Sequence, residues 1–299
     1  MRSIRASLFS REKLPSESSS SMSSEPSCPN VAEPNDSPLP EVVIAVDFGT
    51  TFSGFAYVKT SGPNEVRDNC AWPGSRQVGA ETYCKTQTSL YYEHRPSTDG
   101  RLHLELKAWG WPAFLAFDRA VSEYVFRHNR LQRQNVSSGT SNSNLSSPIT
   151  EDPLYASESL AMKVGFFAHR FKLYFAPHHH SISLPALPGN LTPEKLVVDY
   201  LRCFTEFIID RLRVAIREDF SMNEVQWCLT VPAIWDEEAK QLMRTFAEKA
   251  GMTKGDLCPN NDEASPYPLR ILLEPEAGSV YCQDEASRNL QALRATKFL

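Results

Sequence analysis

The sequence predicts an α/β protein, and three stretches carry that prediction. Val42 to Val46 is an unbroken apolar run, as expected of a strand buried on both faces. A polar turn follows, and Phe55 to Val58 resumes β-type residues. Thr192-Pro193 then opens a helix, with Thr as N-cap and Pro at the first position. Leu196, Val197, Tyr200, Leu201, Phe204, Phe207, Ile208 and Leu212 mark one face of it over about five turns. Finally, a strand at Val225 to Val231, a helix after Asp236 and a strand at Arg270 to Leu273 make a βαβ-like unit.

The remaining segments can be read in order. Residues 1–40 are rich in Ser, Pro and Glu and read as a disordered tail. Asn69 to Gly74 is a turn by its Pro-Gly pair. Thr86 to Tyr92 and Leu102 to Leu106 fit strands, and Phe114 to Leu131 an amphipathic helix. Residues 132–150 are Ser- and Asn-rich and read as a flexible insertion. Leu160 to Phe175 has helical spacing, with Phe167, Phe171 and Phe175 four apart on a packed face. His178, His179 and His180 share no face of a regular element and fit a solvated loop better than a metal site. In the helix after Asp236, Ala239, Leu242, Met243 and Phe246 form the apolar stripe, and Gly251 fits the stop. Residues 254–268 form a polar loop, Glu274-Pro275 ends the last strand, and Ala277 to Ala286 starts another helix.

Composition excludes several classes. The 299 residues carry a net charge of −5, which argues against a general nucleic-acid binder. No apolar run approaches the ~20 residues of a membrane span. Arg2, Arg5 and Arg11 precede no apolar stretch, so no secretory signal is predicted, and Glu12 with the Ser/Pro tract makes a poor mitochondrial presequence. Seven cysteines, an odd number without any C-x-x-C, predict a reducing, cytoplasmic compartment rather than a disulfide or zinc framework.

The chemistry concentrates in the turn after Val46. Asp47, Thr50, Thr51 and Ser53 bring oxygen side chains around Gly49. A residue without Cβ lets a ligand approach the backbone. Successive turn N–H groups can cradle an anion. Asp47 at a strand end could hold Mg²⁺ through water. A plain hairpin fits the same composition equally well. Gly49 and Gly54 have the G-x-x-x-x-G spacing of a P-loop, but Phe55-Ala56 stand where Lys-Ser/Thr is required. No G-x-G-x-x-G supports a dinucleotide site.

The string Asp47-Phe48-Gly49-Thr50-Thr51-Phe52-Ser53-Gly54-Phe55-Ala56-Tyr57 resembles the first phosphate motif of the actin-like ATPase superfamily. Together with Leu229 to Trp235 and Leu272 to Ala277, in the expected order, it looks most like the 70-kDa heat-shock protein family in its divergent 12A/12B-like branch. The resemblance implies a ribonuclease-H-like mixed sheet with an inserted subdomain. It covers about residues 41–299, roughly the first lobe of a two-lobed ATPase, with the second phosphate motif, adenosine pocket and second lobe missing. It implies ATP or ADP with Mg²⁺ as cofactors. Gly49, Thr50, Thr51 and Phe52 would contact the phosphates, Asp47 would lie near the metal, and Glu274 would orient water. Without the family, Glu274 fits a helix N-cap as well as a carboxylate facing the ligand crevice. Pro232 matches a proline that relays nucleotide state, with Lys240 where the family has arginine. Lys107 is the lysine nearest to the position of a catalytic lysine, and an exposed strand-end lysine is its alternative reading.

The resemblance therefore implies a chaperone-type ATPase, with unfolded clients and co-chaperones as partners, weak or inactive as this chain. A non-enzymatic scaffold that keeps one lobe is the alternative. A sugar kinase shares the phosphate turn but not the Val-Pro-Ala and Glu-Pro-Glu-Ala strings.

Overall fold

A computed structural model describes residues 39–62, 65–96, 101–137, 158–175, 186–280 and 282–283. The hairpin around the Gly49 turn forms its centre. β1 (Val42–Phe48) pairs antiparallel with β2 (Phe52–Lys59) over its whole length. Two short strands, β3 (Arg67–Asp68) and β4 (Thr86–Gln87), both pair with β2. On its other side β1 pairs in parallel with β8 (Val225–Val231), which pairs in parallel with β9 (Arg270–Leu273). The order β3-β2-β1-β8-β9 gives a mixed sheet. A second, antiparallel sheet has β5 (Ser89–Arg95) between β6 (His103–Trp109) and β7 (Phe166–His169).

Among the described residues, four α-helices lie between β6 and β9. α1 (Trp111–Ser137) begins where Pro112 can sit in a first turn. α2 (Glu158–Val164) is short. α3 (Pro193–Ala215) starts as expected: the Thr192 hydroxyl accepts the Lys195 N–H. α4 (Glu237–Lys249) is capped by Asp236, whose carboxylate accepts the Ala239 N–H at 2.8 Å. Leu196, Tyr200, Phe204, Ile208 and Leu212 recur every four residues and are all buried. They meet Val42, Ile44, Val46 and Phe48 from one face of β1. Val43 and Ala45 point to the opposite face, where Val58, Cys228, Leu272 and Ala277 form a smaller cluster. Leu242, expected in the stripe of α4, is 39% exposed instead.

Three expectations are corrected. Residues 160–175 are not one helix. Gly165 ends α2 at φ +76°, and Phe166 to Ala168 join the sheet through β5. A Cβ at Gly165 would lie 2.3 Å from the Tyr92 carbonyl oxygen, so the chain turns there because only glycine fits. Phe171 to Phe175 then form a 3₁₀ helix. The strand expected at Thr86 to Tyr92 is broken at Thr88, where the chain passes from the first sheet to the second. Cys70 and Cys84 form a disulfide. Asp68 lies opposite Ala56 and Thr86 opposite Ser53, so β3 and β4 follow one edge of β2 and bring the intervening cysteines together. This proximity is created by the sheet and carries no local spacing signal. With it, the cysteine argument for a reducing compartment lapses. No described helix is long and apolar enough to cross a membrane. The tail, most of the 132–150 insertion and the three histidines lie outside the described residues, although 132–137 belong to α1. The last helix begins earlier than expected, spanning 274–280, and residues 282–283 are also helical.

The Gly165 contact makes a direct prediction. Gly165→Ala should lose about 1–3 kcal/mol of stability from the positive φ alone, with the carbonyl clash adding to it. The urea-denaturation midpoint should fall accordingly. An unchanged midpoint would mean that the α2–β7 junction is not formed as described.

Candidate functional site

Parallel register builds the site. Asp47 lies opposite Thr230, and Val231 opposite Leu273. The C-terminal ends of β1, β8 and β9 therefore fall on one edge of the sheet. Asp47 leads into the turn on the first, Pro232 follows the second and Glu274 the third. Such an edge is where open α/β sheets bind ligands.

The turn itself is tight. A Cβ at Gly49 would stand 2.3 Å from the Phe52 carbonyl oxygen. Thr88 braces it: its hydroxyl donates to the Gly49 carbonyl at 2.8 Å, and its N–H donates to the Thr51 carbonyl at 2.8 Å. The buried Ser53 hydroxyl lies 2.7 Å from the Thr88 hydroxyl. Thr50 is half-buried and Thr51 exposed, so both remain open to a ligand. Phe52 starts β2 and packs its ring on Tyr83 and Trp111, with centroids 5.4 and 5.7 Å apart. Its side chain holds the turn in place.

Two cations converge on this edge. Lys85 donates to Asp47 Oδ2 at 2.6 Å, and the Thr230 hydroxyl reaches Asp47 Oδ1 at 3.4 Å. Lys172 comes from the 3₁₀ helix after β7. Its ammonium donates to the Phe48 carbonyl at 2.5 Å and to Glu274 Oε1 at 3.2 Å. It also stands 5.4 Å from the Phe48 ring centroid and 5.3 Å from that of Trp235. Lys172 is 3% exposed, whereas Glu274 is 43% exposed. Burial pulls the Lys172 pKa below the ordinary lysine value, opposed by Glu274 and Asp47. A desolvated cation facing two carboxylates on a sheet edge is the kind of group that functional sites retain at a cost in stability.

Lys172 was not legible in the sequence, because its segment reads as helix. The signals were Gly165 and a lone lysine inside Phe171-Lys172-Leu173-Tyr174-Phe175. Lys107 is elsewhere. It is 55% exposed on β6 and pairs with Glu93 at 3.4 Å. Lys240 turns to Glu237 on its own helix at 2.6 Å.

The donor set suits an anion beside a hard cation: an open turn, a carboxylate at its base and hydroxyls around it. Asp68, Cys70 and Cys84 are the three-residue ligand cluster found among the described residues, and its two sulfurs are bonded to each other. A cavity of about 550 Å³ lies away from the turn, between α3 and the 250–264 segment. It is lined by Arg202, Thr205, Arg213 and Glu263 among others, and by none of the candidate site residues.

No family model matches the chain. Heat shock 70 kDa protein 12B of Homo sapiens is 29% identical over 262 residues, which cover 84% of this chain and 30% of that protein. Heat shock 70 kDa protein 12A of Mus musculus is 28% identical over 246 residues, or 81% of this chain and 28% of that protein. The human 12A protein matches at the same identity and coverage. The chain thus spans under a third of the length of these curated relatives. Over more than four-fifths of its own length, it is similar to the 12A and 12B heat shock 70 kDa proteins, at the distance of a divergent branch.

Proposed function

We propose that this lobe binds the phosphates of ATP or ADP with Mg²⁺, as a first lobe of an Hsp70-like ATPase domain. The observation that carries the reading is the meeting of Asp47, the Gly49 turn, Lys172 and Glu274 at the ends of three parallel strands. The mixed sheet supports the ribonuclease-H-like form of the fold.

In this reading Asp47 holds the metal's hydration water. The backbone of Gly49, Thr50 and Thr51 and the two threonine hydroxyls donate to phosphate oxygens. Lys172 sets a fixed positive charge beside the phosphates, and Glu274 orients the attacking water. Mg²⁺, when bound, supplies charge against the phosphate oxygens. Lys85 must leave Asp47 for this to happen. Clients and co-chaperones would be the partners of the longer protein type that the relatives represent.

Magnitudes limit what the lobe can do by itself. Three or four hydrogen bonds to charged phosphate, at ~1.5–3 kcal/mol each, give roughly 5–10 kcal/mol gross. Association costs an estimated ~4–15 kcal/mol. Binding is therefore weak and turnover poor. One observation favours a second reading, a non-enzymatic scaffold: Asp47 and Glu274 are already paired with Lys85 and Lys172.

Calorimetric titration with MgADP separates the two readings. Weak binding is expected, reduced at least tenfold by Asp47→Asn and by Lys172→Met and unchanged by Lys107→Met. No binding at millimolar nucleotide would leave the scaffold reading. MgATP turnover is expected below detection, and clear turnover abolished by Glu274→Gln would overturn that expectation.

Lys172 also predicts a pH dependence. Its folded-state pKa is lowered, so the unfolded chain binds the proton more tightly. Stability should rise with pH between the lowered folded value and the ordinary lysine value. Lys172→Met should flatten that rise in melting temperature while leaving the protein at least as stable near neutral pH. An identical pH profile in the variant would mean that Lys172 is not a desolvated cation.

A further inference from the structure

The Cys70–Cys84 bridge lies one residue from the cation on Asp47. The chain leaves the edge of β2 after Asp68, makes an excursion anchored by Trp72, and rejoins that edge at Thr86. Trp72 is 4% exposed and stacks on Phe204 and Phe207, with centroids 5.7 and 5.2 Å apart. The disulfide closes the excursion at its neck, with the two Cα atoms 4.0 Å apart. Lys85 is the next residue, and its ammonium donates to Asp47.

The ion pair alone holds loosely. Its side chains are 32% and 28% exposed, and a flexible lysine in such a pair is screened and costs rotamer entropy to fix. β4 adds only two paired residues. Buried Thr86 fixes the chain on one side of Lys85, and the covalent neck at Cys84 narrows its backbone positions on the other. Removing it opens the neck of the excursion, and the segment between the packed Trp72–Ser75 turn and Thr86 regains freedom. Both cysteines are half-buried, so the bridge is not sealed in the core.

We propose that Cys70 and Cys84 form a redox latch on Asp47. Bridged, they hold Lys85 on the carboxylate as its counter-ion. Reduced, they release Lys85 and open Asp47 to a divalent cation. Opening is an exchange with a dithiol reductant. One of its thiolates attacks a bridge sulfur, the Cys70–Cys84 bond breaks, and a mixed disulfide forms. The second thiol of the reductant displaces the protein sulfur. The protein gains two electrons and two protons as two thiols, and the reductant leaves as a disulfide. The effect on nucleotide binding rests on the phosphate-site reading above, but the release of Lys85 does not.

The test is amine labelling of the full chain with a limiting acylating ester, mapped by mass spectrometry. The exposed Lys107 is the internal reference. Reduction with dithiothreitol should raise labelling of Lys85 relative to Lys107 severalfold. Cys70→Ser should show the raised ratio without reductant and no further response to it. If that variant does not fold, the wild-type comparison stands alone. An unchanged ratio on reduction overturns the latch. So does the finding of both cysteines alkylatable in protein never exposed to reductant. MgADP affinity should also rise severalfold on reduction. Equal, measurable affinity in both forms would overturn the opening of Asp47. Raised labelling with no MgADP binding in either form supports the release of Lys85 and counts against the nucleotide reading alone.

Discussion

Parallel pairing of β1 with β8 and of β8 with β9 is the constraint on which the site depends. It brings Asp47, Pro232 and Glu274, which are up to 227 residues apart in the chain, to one sheet edge. Parallel strands need a covered crossover, and both faces of β8 are buried. α3 and α4 supply the cover on the main face. The hairpin partner β2 runs the other way, so the Gly49 turn opens at the same edge. A one-residue slip of β1 against β8 would send Val42, Ile44, Val46 and Phe48 to the wrong face. The facing of the larger β1 side chains and the position of Asp47 are thus fixed together.

The buried cation is the second feature that organises the edge. Lys172 touches the carbonyl at the end of β1 and the carboxylate after β9, and lies over two aromatic rings. Burying an ammonium with a half-exposed partner is poor for stability. An apolar side chain would pack there at lower cost. On the reading proposed above, the fixed positive charge serves an anionic ligand.

Much of this was legible in the sequence. β1, β2, β8 and β9, with α3 and α4, follow from unbroken apolar runs, a five-fold repeat of apolar residues at spacing four, and caps at Thr192 and Asp236. The turn residues were legible because their chemistry is local. The failures have a common cause. Phe167, Phe171 and Phe175 satisfy helical spacing, yet Gly165 and pairing with β5 override it. Lys172 was hidden by that misreading. Cys70 and Cys84 meet only because two short strands share one neighbour, which no pattern along the chain reveals. Glu274 was placed by resemblance as much as by its position at a strand end, and its ion pair to Lys172 could not be foreseen because Lys172 was misplaced.

Thr88 has a mechanical consequence. It is the single residue between β4 of one sheet and β5 of the other, and it grips both the Gly49 and Thr51 carbonyls. The junction of the two sheets and the Gly49 turn therefore share one anchor, so the position of the smaller sheet and the shape of the turn are fixed by the same residue.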